Sequence, residues 1–248
     1  MKAHTDLWDK IETALRLRGI FIRNKIPLPL KLLAVFRYLL NPSFRTISRS
    51  LDINVSHVAV WSWLHKLGNS FMDTIFRLAG PANVVVVDET EVNFGGRHIF
   101  VWAAIEPESR KIVMLWATHV RSGITALLFF RKLIRTVGAP ELVITDGGPW
   151  YDYALQKLGI RHVVMSGDVR NYIERWFETL KDRARCFDVY YPTKKGDLRV
   201  LLEWLTVFVL YYNHVRYHQT LKRPPVPLGG HREYERWEVT LLAALSLS

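Results

Sequence analysis

Two short apolar runs each lead straight into an aspartate, and this limits the fold more than any other feature of the chain. NVVVV (83–87) runs into Asp88, and ELVIT (141–145) runs into Asp146. Short runs rich in Val and Ile, bounded by turn residues, read as buried strands, and a strand end is a rigid place from which to project a side chain. HIFVWAAIE (98–106) and KIVMLWATHV (111–120) read as two further strands, set off by Gly95-Gly96 and by the cluster from Pro107 to Arg110. The first three strands form an antiparallel meander. A helix fits 124–137, stopped by Gly138-Ala139-Pro140, and another fits 151–158. HVVM (162–165) is a fifth strand, and a long helix opens near Asn171. Three strands, helix, strand, helix, strand, helix is the order of an α/β domain, a mixed five-stranded sheet flanked by helices.

The segment before the first strand is helical throughout. In PLPLKLLAVFRYLLNP the prolines stand in front of an apolar run and Asn41-Pro42 closes it, within a helical stretch from 7 to 41. Ser43 caps a short helix carrying Ile47 and Leu51, Asp52 to Asn54 make a turn, and Ser56 caps a second helix through Leu67 that Gly68 ends. A short helix, a tight turn and a second helix follow the helix-turn-helix plan, in which the second helix enters the major groove. Two helices that simply pack give the same pattern. The reading is therefore an N-terminal all-α domain over 1–77 with a helix-turn-helix at about 43–68. A linker at Leu78 to Pro81 follows, then the α/β domain over 82–221 and a tail over 222–248.

Charge narrows the partner. The 34 Lys and Arg outnumber the 23 Asp and Glu, giving a formal charge of +11 and a pI near 9.8, a surplus that concentrates a polyanion at the surface. Nucleic acid is the first partner indicated, and an anionic membrane surface the second. A membrane span is not expected, because LLAVFRYLL is broken by Arg37 and LLEWLTVFVLYY carries Glu203. With Cys186 alone there is neither an intrachain disulfide nor a cysteine-cluster zinc site, and a cytoplasmic setting follows. Gly147-Gly148 matches no phosphate-loop pattern.

If the strands ending at Asp88 and Asp146 are neighbours, two carboxylates stand side by side and require a proton, a lysine or a metal between them. Paired hard oxygens suit Mg2+, which keeps several waters and takes one or two carboxylates from the protein. The helix NYIERWFETLKDR offers a third in Glu174, three residues after Asn171, and a rival in Glu178 one turn on. Three such carboxylates holding two metals form the clamp used for in-line phosphodiester displacement. Acids at strand ends also serve as turn formers or a solvated rim, and spacing alone leaves both readings open.

The motifs taken in order carry a resemblance. VSHVAVWSWLHK, VVVDET, ITDGG, NYIERWFETLKDR and YYNHVRYHQTLKRPP extend from about residue 40 to 225. Together they are similar to the DDE transposases of prokaryotic insertion sequences, most of all to the insertion-sequence-six group, with its integrase-type, ribonuclease-H-like core. The resemblance implies Asp88, Asp146 and Glu174 as the catalytic acids and metal ligands, with two Mg2+ or Mn2+ ions. It also implies double-stranded DNA as substrate, both terminal inverted repeats and target, and action as a homodimer or higher oligomer on DNA. Two departures stand beside it. Only 174 − 146 − 1 = 27 residues separate the second and third acids, fewer than the group's usual spacing, and Tyr217 replaces the proline of a usual Arg-Pro-His.

Further residues extend the DNA reading. Ser56, His57 and Lys66 lie in the second helix of the helix-turn-helix, Arg175, Lys181 and Arg183 along the Glu174 helix, and Arg216 and His218 in the closing motif. Lys181 is seven residues past Glu174, two helical turns, so the two share a side; holding a phosphate and simple solvation fit it equally. His214 and His218 have the i, i+4 spacing of a zinc pair but lack the glutamate of that motif. Trp61, Trp63, Trp102 and Trp116 read as core, while Trp150, just past Asp146, is the candidate for stacking on a splayed base. The rival functions are a nuclease of the same fold without joining and a DNA-binding regulator whose carboxylates are idle.

Overall fold

The computed structural model describes residues 13, 15–17, 19–21, 25–40, 43–50, 55–72, 74–94, 96–165, 167, 171–184 and 197–227. The expected turn at Asp52 to Asn54, Cys186 and most of the 222–248 tail lie outside them. The chain forms two compact units, one of residues 1–72 with 203–248 and one of residues 73–202.

In the first unit, α1 (Leu28–Tyr38), α2 (Phe44–Ser50) and α3 (His57–Phe71) pack on one another. Pro27 and Pro29 open α1 as expected. The Ser43 hydroxyl accepts the Thr46 N–H at 3.1 Å, and Ser56 Oγ accepts the Ala59 N–H at 3.2 Å, so both serine caps are present. Ser56→Ala is expected to cost about 1 kcal/mol, read as a shift in the urea midpoint. The Tyr38 and Phe44 rings stack at 3.8 Å, closing α1 onto α2.

Gly68 does not end α3, which continues to Phe71. A Cβ at Gly68 would lie 2.2 Å from the Glu203 carbonyl oxygen, so the glycine serves a close approach to the helix α8 (Leu198–His214) rather than a stop. One residue turn away, His65 Nδ1 and Glu203 Oε2 meet at 2.7 Å in the same buried seam.

His214, at the end of α8, is fully buried, its Nδ1 donating to the Val226 carbonyl at 2.9 Å. Burial lowers its pKa from 6.5 to about 4, the Val226 contact offsetting part of the effect. The folded chain thus keeps this ring neutral where the unfolded chain protonates it. Stability is complete above about pH 6.5 and falls as pH drops towards about 4, by about 3 kcal/mol. His214→Asn, which keeps a donor for Val226, should flatten that limb in urea unfolding at pH 7 and pH 4.5.

The second unit is the sheet. Its strands are β1 (Val84–Phe94), β2 (Arg97–Ile105), β3 (Ile112–Thr118), β4 (Leu142–Thr145) and β5 (Arg161–Val164), in the order β3-β2-β1-β4-β5. The first three are antiparallel, while β1, β4 and β5 run parallel. Helices α4 (Ile75–Ala79), α5 (Gly123–Val137), α6 (Pro149–Leu158) and α7 (Asn171–Ala184) complete it. This is the mixed five-stranded α/β sheet flanked by helices that the element order predicts.

One expectation is corrected. The first strand does not stop at Val87; it runs on through Asp88 to Phe94. Val84 to Val86 pair with β4, whereas Val86 to Phe94 pair with β2, so beyond Asp88 the strand has a neighbour on one side only. The two sections differ accordingly: Val85, Val86 and Val87 are all buried, then Thr90, Val92 and Phe94 alternate with the exposed Glu91 and Asn93. A strand section covered on both faces is apolar throughout, and one with a single covered face alternates. Asp88 stands where the first regime gives way to the second.

Candidate active site

The parallel register places the two aspartates. Val86 pairs with Ile144, and Asp88 and Asp146 each lie two residues further on, Asp88 inside β1 just past its parallel pairing and Asp146 just past the end of β4; adjacent strands lie about 4.8 Å apart. The carboxyl end of such a parallel pairing is where open α/β sheets bind ligands. Asp88 is buried to 8% exposure, with one carboxylate oxygen accepting the Glu89 N–H at 2.8 Å, while Asp146 is exposed.

The turn after β4 is tied down atom by atom. Asp146 Oδ1 accepts the Gly148 N–H at 2.9 Å, and the Gly147 N–H donates to Thr145 Oγ1 at 3.2 Å. Gly147 has φ +84°, the left-handed region open to glycine, and a Cβ there would meet Val164 at 2.9 Å. A Cβ on Gly148 would strike the Trp150 ring at 2.6 Å. Thr145 Oγ1 also meets His162 Nε2 at 2.7 Å, and His162 Nδ1 meets Asp152 at 3.1 Å, binding β4, β5 and α6 into one corner. Pro149 then starts α6.

Glu174 lies in the first turn of α7, which packs on β1 and β2 through Ile173, Trp176, Phe177, Leu180 and Ala184. Glu174, Arg175, Glu178 and Lys181 are exposed and Arg183 is half-buried. Asn171 is itself the first helical residue rather than a flanking cap. Among the described residues no three of His, Cys, Asp and Glu stand close enough to hold a metal ion together. The in-register aspartates suit a hard divalent cation in chemistry, but Glu174 is not drawn in with them as a closed set.

The remaining DNA-binding candidates are spread out. Ser56 and His57 are exposed at the start of α3, but Lys66 is 66 − 57 = 9 residues from His57, two and a half turns, and faces the opposite side. Arg216 lies over the Tyr212 ring at 5.5 Å, and His218 Nδ1 accepts the Leu221 N–H at 3.4 Å. His218 lies past the end of α8 while His214 is buried inside it, so the two do not form the helical zinc pair. Trp63 and Trp102 are core as expected, and Trp61 and Trp116 are half-buried. Trp150 already has a partner, the Arg121 guanidinium 4.2 Å from its ring centre.

Glu89 is the residue that sequence reasoning missed. Strand alternation turns it away from Asp88, and the side it faces is protein: its side chain is 3% exposed. Arg121 Nη1 donates to it at 3.0 Å, Trp150 Nε1 donates at 3.3 Å, and the Tyr151 hydroxyl donates as well. Burial first, and the Glu89 charge second, push the Tyr151 pKa well above its usual value, so it remains a donor. The available signal was position. Glu89 lies opposite Trp102 in the β1–β2 ladder, on the side packed by Phe129 and Tyr151, and a buried carboxylate there requires donors.

Residues 82–194 match a family model described as a DDE domain. An uncharacterized protein of Methanocaldococcus jannaschii is 27% identical over 201 residues, covering 80% of this chain and 92% of that protein. The transposase for insertion sequence-like element IS431mec of Staphylococcus aureus is 26% identical over 124 residues, 47% of this chain. That match spans about half, 53%, of the staphylococcal protein. Among solved structures, the HTLV-2 integrase catalytic core domain in complex with magnesium is 14% identical with a TM-score of 0.45, covering 59% of this chain and 95% of that one.

Proposed function

We propose that this chain is a DDE transposase of prokaryotic insertion sequences, which cuts DNA at the element's ends and joins them to target DNA; the match of residues 82–194 to a DDE domain and the likeness to a staphylococcal transposase support this reading. The observation that carries the proposal is the pair Asp88 and Asp146, each two residues past the Val86–Ile144 pairing of adjacent parallel strands, inside the segment that matches the DDE domain. Glu174, from α7, is the third acid. These residues would hold the Mg2+ or Mn2+ ions, two in the full site. When bound, such ions supply activation of an attacking oxygen and charge stabilisation at the leaving one.

The chain's own groups do the rest. Asp88, held inside a strand, and Asp146, held by the Gly148 N–H, keep their carboxylates still, so little reorganisation is required at the moment of reaction. Lys181 and Arg175, on the exposed side of α7, hold backbone phosphates. Ser56 and His57 at the start of α3 read the inverted repeats as part of a helix-turn-helix, and basic contacts supply most of the affinity. The chain acts as a homodimer or higher oligomer on DNA in the cytoplasm. Among the described residues no helix is long and apolar enough to cross a membrane.

The test is one incubation of labelled inverted-repeat ends, a target plasmid and Mg2+. A transposase gives cut ends and joined products. Cut ends with no joined product would make the chain a nuclease of the same fold, and DNA binding with neither product would leave a regulator.

A further inference from the structure

The Glu89 cluster is built like a brace for the aspartate pair. Three donors converge on one carboxylate from two places: Arg121 from just before α5, and Trp150 and Tyr151 from the first turn of α6. Tyr151 is fully buried, its ring edge-on to Trp102 at 6.0 Å and tilted steeply against Phe130 at 6.3 Å, so its hydroxyl has one fixed direction. Arg121 closes the group from outside, against the carboxylate and over the Trp150 ring together. From there the path to Asp146 is short. Trp150 packs so closely on Gly148 that no side chain fits there, and the Gly148 N–H holds Asp146 Oδ1. At its other end the brace is anchored on β1, one residue from Asp88.

We propose that Glu89 is a positioning residue: through Tyr151 and Trp150 it fixes the first turn of α6 to β1, and thereby sets Asp146 beside Asp88 for metal binding. The inference rests on the proposed transposase site and adds to it a residue outside the three acids. A buried carboxylate that served stability alone would act on the fold and leave metal affinity unchanged in any variant that still folds. A brace acts on the geometry of the pair, and loss of such supporting partners costs metal affinity about 10- to 100-fold.

Tyr151→Phe removes one hydroxyl and keeps the ring packing, and Glu89→Gln keeps the shape and removes the charge. Mn2+ titration of the full chain by calorimetry, and cleavage of labelled ends across a Mn2+ series, are measured beside a thermal melt. The expected result for Tyr151→Phe is a folded protein whose Mn2+ affinity falls about 10-fold or more, with cleavage largely restored at high Mn2+. Glu89→Gln should show the same in a stronger form; if it does not fold, Tyr151→Phe decides the matter. Parent-like Mn2+ affinity and parent-like Mn2+ dependence of cleavage in a folded Tyr151→Phe would overturn the positioning role. Asp88→Asn and Asp146→Asn are run alongside. If they abolish Mn2+ binding while Tyr151→Phe leaves it alone, only the brace fails; if they too bind and cleave like the parent, the site reading fails and the brace with it.

Discussion

Asp88→Asn is expected to bind inverted-repeat DNA as the parent does and to cut it at least about 10²-fold more slowly. The substitution keeps the size and planar shape of the side chain inside β1, where Asp88 is buried to 8% exposure, and removes only the charge. Removing one fixed electrostatic contact to a reacting group costs about 10²- to 10³-fold, and a carboxylate that holds a metal contributes no less. Asp146→Asn should do the same, because Asn retains an oxygen for the Gly148 N–H at 2.9 Å and so keeps the turn. Binding is read by mobility shift at one fixed salt concentration, since phosphate contacts make affinity salt-dependent; cleavage is read by single-turnover gel assay. Glu174→Gln should match the two aspartates and Glu178→Gln should stay close to the parent. Cleavage that survives in Asp88→Asn or Asp146→Asn would remove these carboxylates from the chemistry, and equal loss in Glu178→Gln would reopen the choice of third acid.

Gly68→Ala is expected to destabilise the first unit by about 3 kcal/mol, although the bare helix argument gives the opposite sign. In an open helix interior, alanine is better than glycine by about 1 kcal/mol. Here the new Cβ would sit 2.2 Å from the Glu203 carbonyl oxygen, 2.6 Å from its carbon and 2.8 Å from its Cα. All three are backbone atoms, so no rotamer change relieves the clash; α3 and α8 must separate. Overpacking of that kind costs about 1 to 3 kcal/mol or more, and separation also lengthens the buried His65–Glu203 contact, now 2.7 Å. The clash therefore outweighs the propensity gain. At about 2 to 4 °C per kcal/mol for a chain of this size, the melting temperature should drop by roughly 10 °C. Calorimetry decides: a Tm equal to or above the parent's would mean that α3 and α8 are not in this close contact.

How much of the fold was legible follows the reach of each cause. The serine caps were read correctly because a cap is a hydrogen bond within three residues, as Ser43 to Thr46 and Ser56 to Ala59 are. The element order was equally local, since the strand and helix periods are properties of ten or fifteen consecutive residues. The misreadings came where the cause is distant. Gly68 looked like a helix stop because its reason, Glu203, is far along the chain. The strand at Val84 looked finished at Asp88 because the change of neighbours there depends on where β4 ends. The alternation of DETEVNF held the clue to the longer strand, but four valines followed by an acid suggested an edge.

The sequence by itself thus determined an α/β chain with helices at its start, a basic surface, and an aspartate directly after each of two buried strands. Only the tertiary structure decided that these two strands are parallel neighbours in matching register, and that Glu89, which belongs to the same acidic run, is sealed by partners 32, 61 and 62 residues away. The physical reason is that hydrogen bonds within a few residues are encoded by local spacing. The choice of strand neighbour and the company of a buried charge follow instead from how the whole sheet and its helices exclude water.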